Sequence, residues 1–115
     1  MYKIPLFNLN YGKEEEDAIL ETIRSKWIST GPKCVELEKK FSSVIGSNYS
    51  VSLSNCTSAL HLSLLALGVD ADCEVIVPSL TFSATVNAVK YVDAKPVFCD
   101  IIGHDKPTID PEHIE

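Results

Sequence analysis

Nowhere in this 115-residue chain is there a long apolar run: the longest stretches lie within residues 59–69 and 75–78, well short of the roughly 20 residues that cross a bilayer. No membrane span is expected. Positive charge is also scarce, with 10 Lys and Arg against 16 Asp and Glu, a net of −6. Nucleic-acid phosphates are held by clustered Lys and Arg, so this balance argues against a nucleic-acid partner. The N-terminal run MYKIPLFNLNYGKEEE reaches charge too soon for a secretory core of about 7–15 apolar residues, and a cytoplasmic setting is the expectation. Cys34, Cys56, Cys73 and Cys99 are 22, 17 and 26 positions apart, with no C-x-x-C pair and no His at zinc spacing. They read as reduced core or loop thiols, and no metal site is expected. P-loop and G-x-G-x-x-G patterns are missing as well.

What is present suffices for one domain at most. Hydrophobic residues make up 45%, enough for a core without disulfide staples. Residues 13–26, KEEEDAILETIRSK, put acids first, bases last and Ile19, Leu20 and Ile23 at helical spacing, which suits a helix and its dipole. Gly31, free to take unusual dihedrals, and Pro32 break it. A second amphipathic helix carries Leu37, Phe41, Val44 and Ile45 on one face and stops at Gly46.

From Tyr49 the pattern changes. Tyr49, Val51 and Leu53 alternate with serines as in a short strand, and SALHLSLLAL is apolar on nearly every side, which predicts a buried helix ending at Gly68. Glu74–Pro78 reads as a strand, SATVNAVKYV as a helix with Ala84, Ala88 and Val89 inward, and Pro96–Ile101 as another strand. Phe41 and Phe98 fall on apolar faces and are assigned to the core. The strand starts at 49, 74 and 96 are 25 and 22 residues apart, about what a crossover helix between parallel strands requires. The expectation is an α/β parallel sheet layered with helices: residues 1–46 form N-terminal helices and 47–115 a β-α-β-α-β portion. From Gly103 the chain reads as an acidic loop or helix, unlike a domain's natural end.

Ligands in such sheets bind beyond the carboxyl ends of the strands, so the loops Ser54–Ser58 and Pro78–Ser83 should share one edge. In the first loop, Ser54-Asn55-Cys56-Thr57-Ser58 lies where a helix begins, and unpaired N–H groups there suit a phosphate. Ordinary capping by Asn55 or Thr57 explains the same residues. Cys56 at a helix start invites a nucleophile reading with His61 as base. Five positions leave about 140° of extra rotation, so His61 points elsewhere and reads as a satisfied buried or interface histidine. Phe82, between Thr81 and Ser83, either stacks on a flat ligand or caps the core.

Together WISTGPK, SNCTSALHLSLLALGV and EVIVPSLTFSATVNAVKYVDAKPVFCDI resemble the DegT/DnrJ/StrS family of pyridoxal-phosphate-dependent sugar aminotransferases, over Ile4 to Glu115. The resemblance implies the N-terminal part of a fold-type-I large domain, usually homodimeric, moving an amino group from glutamate or glutamine onto a nucleotide-linked keto sugar for surface-polysaccharide or antibiotic sugars. It implies that Thr57 and the amide of Ser58 hold the phosphate of pyridoxal phosphate (PLP), with Cys56 where many members have Gly. Phe82 would stack on the pyridine ring, and Ser29, Thr30 and Gly31 would line the substrate side.

This chain departs from the pattern in Asp72-Cys73-Glu74, where the family often has Gly-Asp-Glu, and in Cys56 and Ser58, which replace Gly and Ala. The family's cofactor-carrying Lys and its Asp partner of the pyridinium nitrogen would both fall after Glu115. Lys33, Lys39, Lys40, Lys90 and Lys95 read as solvated charges instead. The 115 residues alone are therefore expected not to transaminate, and no catalytic residue is assigned among them. Two alternatives stand beside this reading: a PLP-dependent sugar 3-dehydratase of the same fold, with His replacing the Lys, and a non-catalytic fragment or phosphate-binding module.

Overall fold

The computed structural model describes Ile4 and residues 7–114. The chain divides into two compact units, Met1–Ser52 and Leu53–Glu115.

The first unit is helical. Helix α1, Lys13–Arg24, opens with Glu14, Glu15 and Glu16 and closes with Arg24, complementing the helix dipole. The Glu15 carboxylate accepts from the amide of Gly12 at 2.7 Å, the reciprocal half of a capping box. Helix α2, Pro32–Ile45, starts on a proline whose missing N–H costs nothing there. It stops where Gly46 turns left-handed at φ 73°. Its apolar stripe faces no core: Phe41, assigned to the interior by its spacing, is 55% exposed.

The strand expected over Tyr49–Leu53 is absent. Its alternation is real, but a strand needs a neighbouring ladder to take its amides. Here the Ser52 amide and hydroxyl both donate to Glu38 Oε1 at 2.8 Å, and the Ser50 and Ser42 hydroxyls share a 2.7 Å hydrogen bond. The segment is laced to α2 by side chains. The division between the two compact units falls at Ser52/Leu53.

The second unit carries the sheet. Helix α3, Cys56–Ala66, leads through left-handed Gly68 to strand β1, Glu74–Pro78; helix α4, Ser83–Tyr91, crosses over to strand β2, Lys95–Cys99. β1 and β2 pair in parallel, from Glu74 opposite Lys95 to Pro78 opposite Cys99. An exposed ion pair of 2.6 Å joins the first two. Val77, Val89, Val92 and Ala94 form the core cluster, with Leu64 of α3 packed against it. Ala88 and Val89 face inward as expected; Ala84 is half-buried.

Three expectations fail here, and the third accounts for the first two. α3 has no fully buried residue, Phe98 on β2 is 60% exposed, and the parallel ladder has two strands instead of three. A two-stranded layer covers one flank of an all-round apolar helix and one face of itself, leaving the remaining faces bare. The strand expected over Pro96–Ile101 also breaks at Asp100, whose carboxylate takes the amide of Ile101 at 2.8 Å. Strand β3, Ile101–Gly103, then pairs antiparallel with β4, Lys106–Ile109, so the tail is a hairpin followed by a short 3-10 turn over Pro111–His113.

Candidate functional site

Two loops of the second unit hold the residues singled out for a planar phosphorylated ligand. Asn55, extended at φ −164°, caps α3 by accepting the Ser58 amide on its side-chain oxygen at 2.8 Å. The capping role is therefore filled by Asn55, and the Ser58 N–H is engaged within the protein. Helix geometry leaves the amides of Cys56 and Thr57 without intrahelical acceptors. No acidic residue stands in the first turn of α3, so no carboxylate of its own first turn offsets the positive end of its dipole. Cys56 is exposed, and Thr57 and Ser58 are half-buried.

Phe82 occupies the position before α4, with φ −73° and ψ 143°, and its carbonyl accepts from Thr85 at 3.0 Å. The Thr81 and Thr85 hydroxyls share a 2.8 Å hydrogen bond that fixes the loop beside it. Phe82 is 78% exposed, so its ring does not cap the core and is accessible to a partner. Among the described residues no hydrogen bond joins this loop to 54–58. His61 is half-buried, its ring edge-on to Tyr91 with centroids 5.4 Å apart, which agrees with a packing role.

Asp100 escaped the sequence reading. It follows the last residue of β2 at the carboxyl end of the strand pair. There it lines a cavity of about 510 Å³ with Ser79, Leu80, Ile101, Gly103 and His104. The Ile101 amide foremost, then the Ser79 hydroxyl at 3.1 Å, hold its carboxyl below the ordinary value of 3.8. An acid immediately after a strand, facing the loop that begins at Ser79, was the available signal.

The Ser29-Thr30-Gly31 segment belongs to the first unit. Ser29 and Gly31 line a hollow of about 460 Å³ with Trp27, Ile28, Pro32 and Lys33. Thr30 is turned to structure: its carbonyl accepts from the indole Nε1 of Trp27 at 3.0 Å. Gly31 is extended at φ −175°, so its glycine is not explained by unusual dihedrals. The explanation is steric, since a Cβ at Gly31 would overlap the Trp27 ring. Lys33 is paired with Glu21 at 2.9 Å and Lys40 with Glu36 at 2.8 Å, both exposed.

No helix among the described residues is long and apolar enough to cross a membrane. The spore coat polysaccharide biosynthesis protein SpsC of Bacillus subtilis is 41% identical over 114 residues, which are 99% of this chain and 28% of that protein. Spr1654 of Streptococcus pneumoniae, described as a sugar aminotransferase and solved in its PLP form, superposes with a TM-score of 0.89 at 35% identity, covering 98% of this chain and 29% of its own. The GDP-4-keto-6-deoxy-D-mannose-3-dehydratase of E. coli, solved with bound hydrated PLP, superposes at 0.87 with 27% identity, covering 97% of this chain and 30% of its own. The chain thus spans less than a third of the length of these relatives, and its fold is the α/β fold of PLP-dependent sugar enzymes. The profile of the PLP-dependent DegT/DnrJ/EryC1/StrS aminotransferase family matches residues 10–115, and the chain belongs to that family.

Proposed function

We propose that these 115 residues are the N-terminal segment of the large domain of a PLP-dependent enzyme. It transfers an amino group from glutamate or glutamine to a nucleotide-linked keto sugar and works as a cytoplasmic homodimer. The observation that carries this is the start of α3: an Asn55-capped helix with no acid in its first turn and two amides without intrahelical acceptors. That donor set fits a phosphate dianion. In this reading the Thr57 hydroxyl and the amides of Cys56 and Thr57 grip the phosphate. The Ser58 amide, assigned to the phosphate by resemblance, must first be released by Asn55, or it serves by holding the cap in place. Phe82 offers an open aromatic face for the pyridine ring, and the Ser29–Gly31 loop lines the sugar side. When bound, PLP supplies the electron sink that amino-group transfer needs. The residues here bind and orient, while the lysine that carries the cofactor lies beyond them.

Likeness to the E. coli dehydratase supports a second reading, loss of water from C3 of a keto sugar by the same fold. Borohydride reduction of the full-length protein in the presence of PLP separates the two. A phosphopyridoxyl label on one lysine outside residues 1–115 supports the aminotransferase. Bound but unlabelled cofactor supports the dehydratase, and no PLP binding at all overturns both. Thr57→Val, which keeps shape but removes the hydroxyl, should weaken PLP binding about tenfold.

A further inference from the structure

We propose that Trp27 is the positioning residue of the Ser29-Thr30-Gly31 loop, setting the backbone against which the sugar nucleotide of the proposed reaction is held; this rests on the function proposed above. The loop is tied at both ends and in its middle. At its entrance, Lys26 takes the left-handed conformation at φ 62°, and the Ser25 hydroxyl accepts the Trp27 amide at 3.1 Å while donating to the Thr22 carbonyl at 2.7 Å. At its exit, the Gly31 carbonyl accepts the Val35 amide at 3.1 Å as α2 begins. Between them the indole Nε1 donates to the Thr30 carbonyl at 3.0 Å and the ring occupies the space that a Cβ on Gly31 would need.

The close approach is what the glycine serves. A Cβ on Gly31 would overlap Nε1 and lie 2.5 Å from Cδ1 and 2.8 Å from Cε2, although the extended backbone there would accept any residue. The indole cannot swing aside without losing its hydrogen bond. Burial does not account for the ring's placement either, because Trp27 is 57% exposed and lines the same hollow as Ser29. The indole thus fixes the carbonyl direction of Thr30 and the path of Ser29 without being required to touch the reacting atoms.

The test uses the full-length protein loaded with PLP, in parent, Trp27→Phe, Gly31→Ala, Trp27→Ala and doubly substituted forms. Calorimetry measures binding of UDP-glucose, dTDP-glucose and GDP-mannose, while absorbance measures PLP affinity and thermal melting the fold. Loss of the one hydrogen bond in Trp27→Phe should weaken the best-bound sugar nucleotide about three- to tenfold, with PLP affinity and melting temperature unchanged. Gly31→Ala should cost more in the parent than in the Trp27→Ala background, because the Cβ then meets no ring. Sugar binding in Trp27→Phe within about twofold of the parent, or PLP affinity falling in step with sugar affinity, overturns the assignment. Additive effects of Gly31→Ala and Trp27→Ala overturn it too. A parent that binds none of the three sugar nucleotides removes the proposed function and this inference with it; a parent that binds one while the variants match it removes this inference alone.

Discussion

Within these 115 residues the two units are held in different ways. Among the described residues every buried one lies from Val77 to Cys99 in the second unit, and none belongs to the first. The first unit keeps its local geometry by polar contacts: Glu38 on Ser52, Lys33 on Glu21, Trp27 on Thr30. Such contacts are directional but individually weak, a net of about 1 kcal/mol for an ordinary hydrogen bond and less for an exposed ion pair. Burial of Val77, Val89, Val92 and Ala94 is less directional and far harder to undo. The difference teaches where order in this chain is enforced by exclusion of water and where it is drawn by particular atoms.

The sharpest way to break that contrast is Val89→Asp. Val89 is 2% exposed within the cluster of Val77, Val92 and Ala94, so the substitution should cost about 3 kcal/mol or more and abolish hydrogen-exchange protection across β1, α4 and β2. Retained protection there would mean that the small cluster is not what holds the second unit. Asn55→Ala is the next test. It frees the Ser58 amide and should destabilise α3 by about 1 kcal/mol, read from faster exchange of its first-turn amides. Unchanged exchange would show that the cap contributes nothing.

The same contrast explains what could be read in the sequence. Helices α1 and α2 stand where acids, bases, Pro32 and Gly46 put them, because those signals act on the nearest turn of backbone. β1, α4 and β2 were legible for the same reason together with their spacing. The segment around Val51 was not, since alternation says which side chains differ in facing but not whether a ladder is available for the amides. The apolar girth of α3 likewise announces burial without supplying the cover. Within the site, the Asn55–Ser58 cap was open to local reasoning, and Phe82 stood out by its place in the second strand-to-helix loop. Trp27 over Gly31 was not visible, because an extended glycine and one that permits odd dihedrals look alike in a string of letters. Asp100 was missed because its importance comes from the break between β2 and β3.

Acid offers a graded comparison of the polar contacts in the two units. In the first unit, the amide and then the hydroxyl of Ser52 hold the Glu38 carboxyl below its ordinary 4.5; in the second, the Ile101 amide and then Ser79 do the same for Asp100. A carboxyl lowered in the folded state adds stability above its unfolded value and loses it as pH falls through the folded one. Both contacts should therefore weaken below the ordinary carboxylate range. Glu38→Gln should flatten the acid limb for residues 32–52, and Asp100→Asn should flatten it for 95–110, in pH-dependent exchange. A limb unchanged by Glu38→Gln would show that Ser52 is held by something other than this carboxylate.

Phe41→Ser should have the smallest effect. The ring lies on an amphipathic stripe that no described element covers, so within the 115-residue chain its removal should shift stability by no more than about 0.5 kcal/mol, while reducing self-association through the bare face. The comparison gives this variant its use. Val89 and Phe41 were both placed inside by the same periodicity, and only one of them has a partner layer. A loss of about 2 kcal/mol on Phe41→Ser in the isolated chain would mean that the stripe of α2 is covered in solution, and the first unit would then have a core after all.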